Sequence, residues 1–175
     1  INKISNLEKV ANSDWEDIAF DGKEFIYIAD VGNNLNNRKD LRIHRYSLKD
    51  SITKSIQINY RDQKFPMQES NRNFDSEAMI FQNDNLYTFT KNNSDPYNGI
   101  CKIYKINTID SIQELSPIDS MKLGDEGYWK NSVTAADLSD DGKKLALLTY
   151  KYLYLFYDFE KDDFFGGKYC RFLLP

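Results

Sequence analysis

Apolar side chains occur along this chain in short runs, as in Phe25-Ile26-Tyr27-Ile28, Leu86-Tyr87-Thr88-Phe89 and Tyr152-Leu153-Tyr154-Leu155-Phe156-Tyr157. These runs are too short, and too rich in aromatic and β-branched residues, for helices, so they read as strands. Turn residues such as Asp21-Gly22, Lys49-Asp50 and Asp140-Asp141-Gly142 separate them. Strands are predicted at 15–20, 24–30, 41–47, 52–60, 76–81, 86–91, 100–107, 118–123, 133–139, 144–150, 152–157 and 168–174. No segment holds a sustained helical period. The nearest is 107–115, with room for a turn or two at most.

The strands fall into repeats. Asp14-Trp15-Glu16-Asp17-Ile18-Ala19-Phe20 matches Asp75-Ser76-Glu77-Ala78-Met79-Ile80-Phe81 at an offset of 61 residues, Glu16 falling on Glu77. Leu41-Arg42-Ile43-His44-Arg45-Tyr46 matches Cys101-Lys102-Ile103-Tyr104-Lys105-Ile106 at an offset of 60. A third copy sets Asp141-Gly142-Lys143 on Asp21-Gly22-Lys23 at an offset of 120. Repeated four-stranded units of about 60 residues are the sequence signature of β-propeller blades. The expected fold is therefore all-β, a single propeller segment over 1–175 with blades at roughly 14–60, 74–124 and 132–174. Residues 1–5 would be the outer strand of a preceding blade. Three blades do not close a ring, since propellers use about 4–8. The chain reads as part of a larger ring that further blades, or a second chain, would complete. It opens on Ile1 rather than Met and carries no signal-like stretch, as expected of a trimmed chain.

Composition narrows the partners. The 175 residues include 27 acidic and 23 basic side chains, a formal net charge of −4, without basic clusters. That balance argues against nucleic acid and anionic membrane. An apolar fraction of 41% supports a core, and no apolar run approaches the ~18–20 residues of a membrane span. Cys101 and Cys170 permit one disulfide or two free thiols on strands, and two free thiols is the simpler reading.

The elements DWEDIA (14–19), IADVGNNLNNRKDLRIHRY (28–46), FDSEAMIF (74–81), LYTFTKN (86–92) and VTAADLSDDGKKLALLTY (133–150) resemble a largely uncharacterised family of secreted bacterial propeller proteins. Its layout is similar to the calcium-dependent six-bladed group of phytase-like, gluconolactonase and paraoxonase-type proteins. The resemblance implies an extracellular, periplasmic or cell-surface location and a further strand beyond Pro175. By architecture alone, it also raises calcium-assisted chemistry.

Long polar connections lie at 31–40, 61–74, 92–99 and 124–132, all at the same edge of an antiparallel meander. Loops on a rigid scaffold carry most binding functions, so this is the expected working face. Its candidate residues are Glu16, Asp17, Asp30, Asn33, Asn34, Glu77, Lys91, Asn92 and Asp137. Glu16 and Glu77 occupy one place in two repeats, on strands that would line the propeller axis. Converging carboxylates bind a cation, share protons or pair with bases. Calcium held by Glu16, Asp30 and Glu77, with Asn33, Asn34 and Asn92 as neutral oxygen donors, is the one cofactor these residues admit. Against a metal, the third repeat has Ala136 where the others have Glu. Lys91 departs from Asp30 of the first repeat, and is expected to pair with Glu77 rather than to bind an anion. Trp15, Tyr97, Tyr128 and Trp129 sit in or beside these loops, as packing residues or as a rim for sugars or peptides.

Catalytic signatures are missing. The chain has a single histidine, His44, and no GxSxG, HExxH, P-loop or GxGxxG. A Ser-His-Asp triad would have to use His44, and nothing in the sequence places a serine near it. The leading expectation is a secreted binding or scaffold module. The alternative is a calcium-dependent hydrolase of phosphoesters or lactones.

Overall fold

The computed structural model describes Leu7 and residues 10–175, so the strand expected at 1–5 lies outside the described residues. The chain is all-β, with three sheets of four or five strands and no closed barrel among the described residues. The first sheet is a meander of β1 (Asp17–Phe20), β2 (Phe25–Asp30), β3 (Arg42–Ser47) and β4 (Thr53–Tyr60). The second begins with β5 (Asp75–Gln82), β6 (Asn85–Lys91) and β7 (Ile100–Asn107). Next come β8 (Ile112–Leu115) and β9 (Pro117–Lys122), and β9 completes the second sheet. A single helical turn, α1 (Tyr128–Asn131), leads into the third sheet: β10 (Val133–Leu138), β11 (Lys144–Thr149), β12 (Tyr152–Tyr157) and β13 (Lys168–Leu173). No described helix is long and apolar enough to cross a membrane.

Local chemistry accounts for the hairpins. Asp21 accepts the N–H groups of Lys23, Glu24 and Phe25 at 2.8–2.9 Å, closing the β1–β2 turn. Asp141 repeats the device between β10 and β11, accepting from Lys143 N–H at 3.1 Å and from the Ser139 hydroxyl at 2.7 Å. Short Asp side chains satisfy their own turn backbone, so a DGK triplet stops one strand and starts the next.

The core lies between the sheets. Tyr27, Ile43, Ile56 and Ile58 of the first sheet pack against Met79, Leu86, Tyr104 and Ile106 of the second. The second sheet's other face (Ile80, Tyr87, Phe89, Ile103) packs against Leu145, Leu147, Tyr154 and Phe156 of the third. A sheet covered on both faces needs apolar residues at consecutive positions, as in Leu86-Tyr87-Thr88-Phe89. The first strands stand side by side, β1 against β5 and β5 against β10.

One expectation is corrected. The segment 107–115 is not a helical turn: its second half is β8, which leaves its own sheet and pairs in parallel with β4, Gln57 facing Ile112 and Tyr60 facing Leu115. The outer edge of β4 supplies unpaired backbone groups, and Leu115 gains burial there. Both cysteines are free, Cys101 buried and Cys170 exposed.

Candidate functional site

The long connections are bonded to one another. Asn33 N–H donates to Asp75 Oδ1 at 2.7 Å, and Asn93 Nδ2 donates to the Asn34 carbonyl at 3.3 Å. The Ser132 hydroxyl donates to the Asn92 carbonyl at 3.2 Å, which ties the third loop to the fourth. This stitched rim surrounds the loop-side ends of β1 and β5, where the acids gather.

Glu16 precedes β1 and is anchored by its N–H to the Ala29 carbonyl at 2.9 Å. Glu77 sits at a bulge in β5, between Ser76 and Ala78, and bulges re-aim the side chain they carry. Burial pushes Glu16 up to about 7, and the charges of Glu77, Asp14 and Asp75 and a hydrogen bond with Asp14 add to the shift. Gly32 makes room for this cluster: a Cβ there would lie 2.3 Å from both the Asp14 carboxyl carbon and Glu16 Oε1. Burial also raises Asp75, although Asn33 N–H and Asn93 Nδ2 (3.1 Å) both donate to it.

Lys91 is the cation facing this group. Its Nζ donates to Glu77 Oε1 and lies 5.5 and 5.2 Å from the ring centroids of Tyr128 and Tyr150. Burial pulls the Lys91 ammonium down, but hydrogen bonds to Glu77 and the two tyrosine hydroxyls outweigh it, so the group is held above its ordinary value. Trp129, 73% exposed, stands at 5.0 Å from Tyr128 and 5.5 Å from Tyr150 between ring centroids.

Other candidates have been drawn into the scaffold. Asp30 is buried and accepts from Asp14 N–H at 2.8 Å and from Arg38 Nη2 at 3.1 Å. Its oxygens therefore serve the 31–40 loop rather than the Glu16–Glu77 group. Asn33 Nδ2 donates to the Phe74 carbonyl at 3.1 Å, and Asn92 Nδ2 to the Ile100 carbonyl at 2.9 Å. Asn34 is exposed, Asp17 bridges two sheets, and Asp137 is exposed on β10. Among the described residues, no group of three or more His, Cys, Asp or Glu side chains is arranged to hold a metal.

No family model matches the chain, and no curated protein sequence does. Among solved structures, the chain is similar to the computationally designed Ika4 protein, at 10% identity over 95% of each chain with a TM-score of 0.33. A score that low carries no argument about fold or function.

Sequence reasoning missed three residues here. Tyr150 reaches Lys91 from the turn between β11 and β12, and Arg38 takes Asp30 from within the 31–40 loop. The third is a serine beside His44. Across the β3–β4 pairing Ser55 faces His44, with its Oγ 2.8 Å from Nδ1. Asp30 Oδ2 lies 3.6 Å from His44 Nε2, beyond hydrogen-bond length, and Asp30 is already paired with Arg38. The three side chains line up without forming a relay. Cross-strand facing was the signal available, but it depends on a register that the sequence does not print.

Proposed function

We propose that the chain is an exported, non-catalytic binding module of β-propeller architecture, whose loop end takes a ligand carrying an ammonium or guanidinium group. The three consecutive meanders, stacked with their first strands adjacent, support the propeller reading. Export rests on the resemblance to secreted propeller proteins. Further blades or a second chain would close the ring.

One observation carries the ligand class: Asp14, Asp75 and Glu77 place negative charge beside Glu16, Lys91 pairs with Glu77, and burial together with those three charges pushes Glu16 up to about 7. Burial is the larger cause of the rise and the neighbouring carboxylates add to it; an incoming cation relieves that added part. Exposed Trp129 beside the cluster adds an aromatic face for the same cation. Anionic ligands and nucleic acid are disfavoured by the same field.

The second reading is calcium-assisted hydrolysis of phosphoesters or lactones. It draws on Glu16 and Glu77 but has to do without Asp30, which Arg38 holds.

Calorimetric titration with a tetra-arginine peptide, and separately with calcium chloride, at pH 6 and pH 8 tests both. Peptide affinity should rise about tenfold from pH 6 to pH 8 as Glu16 ionises, and Glu16→Gln should remove that dependence. No peptide binding at either pH ends the reading. Calcium binding accompanied by phosphoesterase or lactonase turnover favours the second.

A further inference from the structure

The joint between the first two sheets is made once inside the chain, and its two halves recur without a partner at the chain's open faces. Ala19 on β1 packs towards the second sheet, and Asp17 and Tyr27 share that face. Asp17 accepts the Met79 N–H at 2.6 Å, and the Tyr27 and Phe81 rings stack at 5.7 Å between centroids. Met79 is buried against the first sheet.

The third sheet repeats the giving half. Asp137 falls on Asp17 at the repeat offset of 120. Its neighbours Ala136 and Leu138 pack on the second sheet, so Asp137 points away from it. Its cross-strand partner Ala146 shares this outer face with Leu148, Leu153, Leu155 and Tyr157, all of them partly exposed. No other described sheet covers them. The first sheet repeats the receiving half. Ile18 and Phe20 fall on Met79 and Phe81 at the offset of 61, yet they are 61% and 50% exposed. Ile26, opposite Phe20, extends the same patch.

We infer that two copies of this chain close a six-sheet ring, the outer face of each third sheet docking on the free face of the partner's first sheet. Asp137 then accepts a backbone N–H from the partner's first strand, as Asp17 does from β5. Six sheets fall within the ~4–8 blades that propellers use. A face of four strands, each about six residues long, covers about 400 Å², so two joints remove up to about 1,600 Å² from water, the size of a stable specific interface. Once one joint forms, the second closes within the same pair of chains. The inference rests on the propeller reading and is independent of the ligand proposed for the carboxylate cluster.

Sedimentation equilibrium between about 1 and 100 μM should show monomers and dimers with a dissociation constant of about 10 μM or tighter. Small-angle X-ray scattering of the dimer should give a closed disc. Leu155→Lys on the third sheet and Phe20→Lys on the first should each weaken the dimer at least tenfold; both positions touch solvent, so the lysine stays out of the core. Ile109→Lys, at an 87% exposed position off both faces, should leave it unchanged. Asp137→Ala should weaken the dimer about tenfold while the dilute monomer stays as stable as the parent. A monomer throughout, assemblies larger than a dimer, a dimer that survives both Leu155→Lys and Phe20→Lys, or one that Ile109→Lys also breaks overturns the inference. Each of these leaves the propeller reading standing, since further blades would close the ring instead. A dimer that scatters as an elongated, open body ends both.

Discussion

The carboxylate of Asp17, on the first strand of one sheet, accepts the backbone N–H of Met79, on the first strand of the next, at 2.6 Å. Its other oxygen takes the N–H of Ile18 at 2.7 Å. One side chain thus ties two sheets together at their common edge. Asp137 holds the matching place in the third sheet and accepts the Leu138 N–H at 2.9 Å, with no bond to another sheet among the described residues.

That asymmetry predicts unequal costs. Asp17→Ala leaves the buried Met79 N–H unpaired and should destabilise by about 1–3 kcal/mol. Asp137→Ala should fall within about 0.5 kcal/mol of the parent, as at ordinary surface sites. Urea unfolding of both variants reads the difference directly. Equal losses would show that the intersheet bond is not what Asp17 contributes.

Glu16 makes stability fall as pH rises. Its folded value, about 7, lies above the ordinary 4.5, so folding favours the protonated carboxyl. The favourable term is complete below pH 4.5 and is lost progressively as pH climbs through 7. Glu16→Gln should therefore raise the melting temperature at pH 8 and leave it unchanged at pH 4. With the partial exposure of the site discounted, the gain is on the order of 1 kcal/mol, or a few degrees. Melting curves at the two pH values check it.

His44 works in the opposite direction. Burial lowers it below its ordinary 6.5, and Arg42 adds to the fall, while the nearby charge of Asp30 opposes the shift. Folding then favours the neutral ring, so its contribution is present above pH 6.5 and drains away as the pH falls through the folded value. His44→Gln should flatten the acid side of the pH–stability curve below pH 6.5. An acid limb that keeps its slope in the variant would assign that limb to other groups.

Two glycines separate backbone from side-chain crowding. At Gly99, with φ at +71°, a Cβ would fall 1.7 Å from the Gly124 carbonyl oxygen, pinning the 92–99 loop to the 124–132 loop. Gly99→Ala should cost roughly 3 kcal/mol or more. At Gly32 the obstacles are the ends of Asp14 and Glu16, which can swing aside. Gly32→Ala should keep its melting temperature within a few degrees yet lose peptide binding at the carboxylate cluster.

The thiols provide a check on packing. Cys101 is buried on β7, and burial pushes its thiol up, whereas Cys170 is exposed on β13. A thiol reagent should modify one cysteine in the native protein and two after unfolding. Rapid modification of both would mean that the packing between the second and third sheets opens easily.

Strand positions were legible in the sequence because alternation, turn residues and the repeat offset are all local signals. All twelve expected strands are present, most bounds shifting by only a residue or two. β8 was not legible, since its partner β4 lies more than fifty residues back and only tertiary proximity offers it that edge. The pairing of Lys91 with Glu77 followed from their places in the repeat.

Which acids remain free for a ligand was decided in three dimensions. Asp30, Asn33 and Asn92 have the residue types of a calcium site, but the Arg38 guanidinium takes Asp30, the Arg38 N–H takes Asn33 Oδ1, and the Ser94 N–H and hydroxyl take Asn92 Oδ1. Burial and the charges on two neighbouring strands set the protonation of Glu16, and cross-strand register set Ser55 beside His44. A sequence records which groups a chain owns. Hydrogen-bond competition and desolvation, which exist only once distant segments meet, determine which of them stay available.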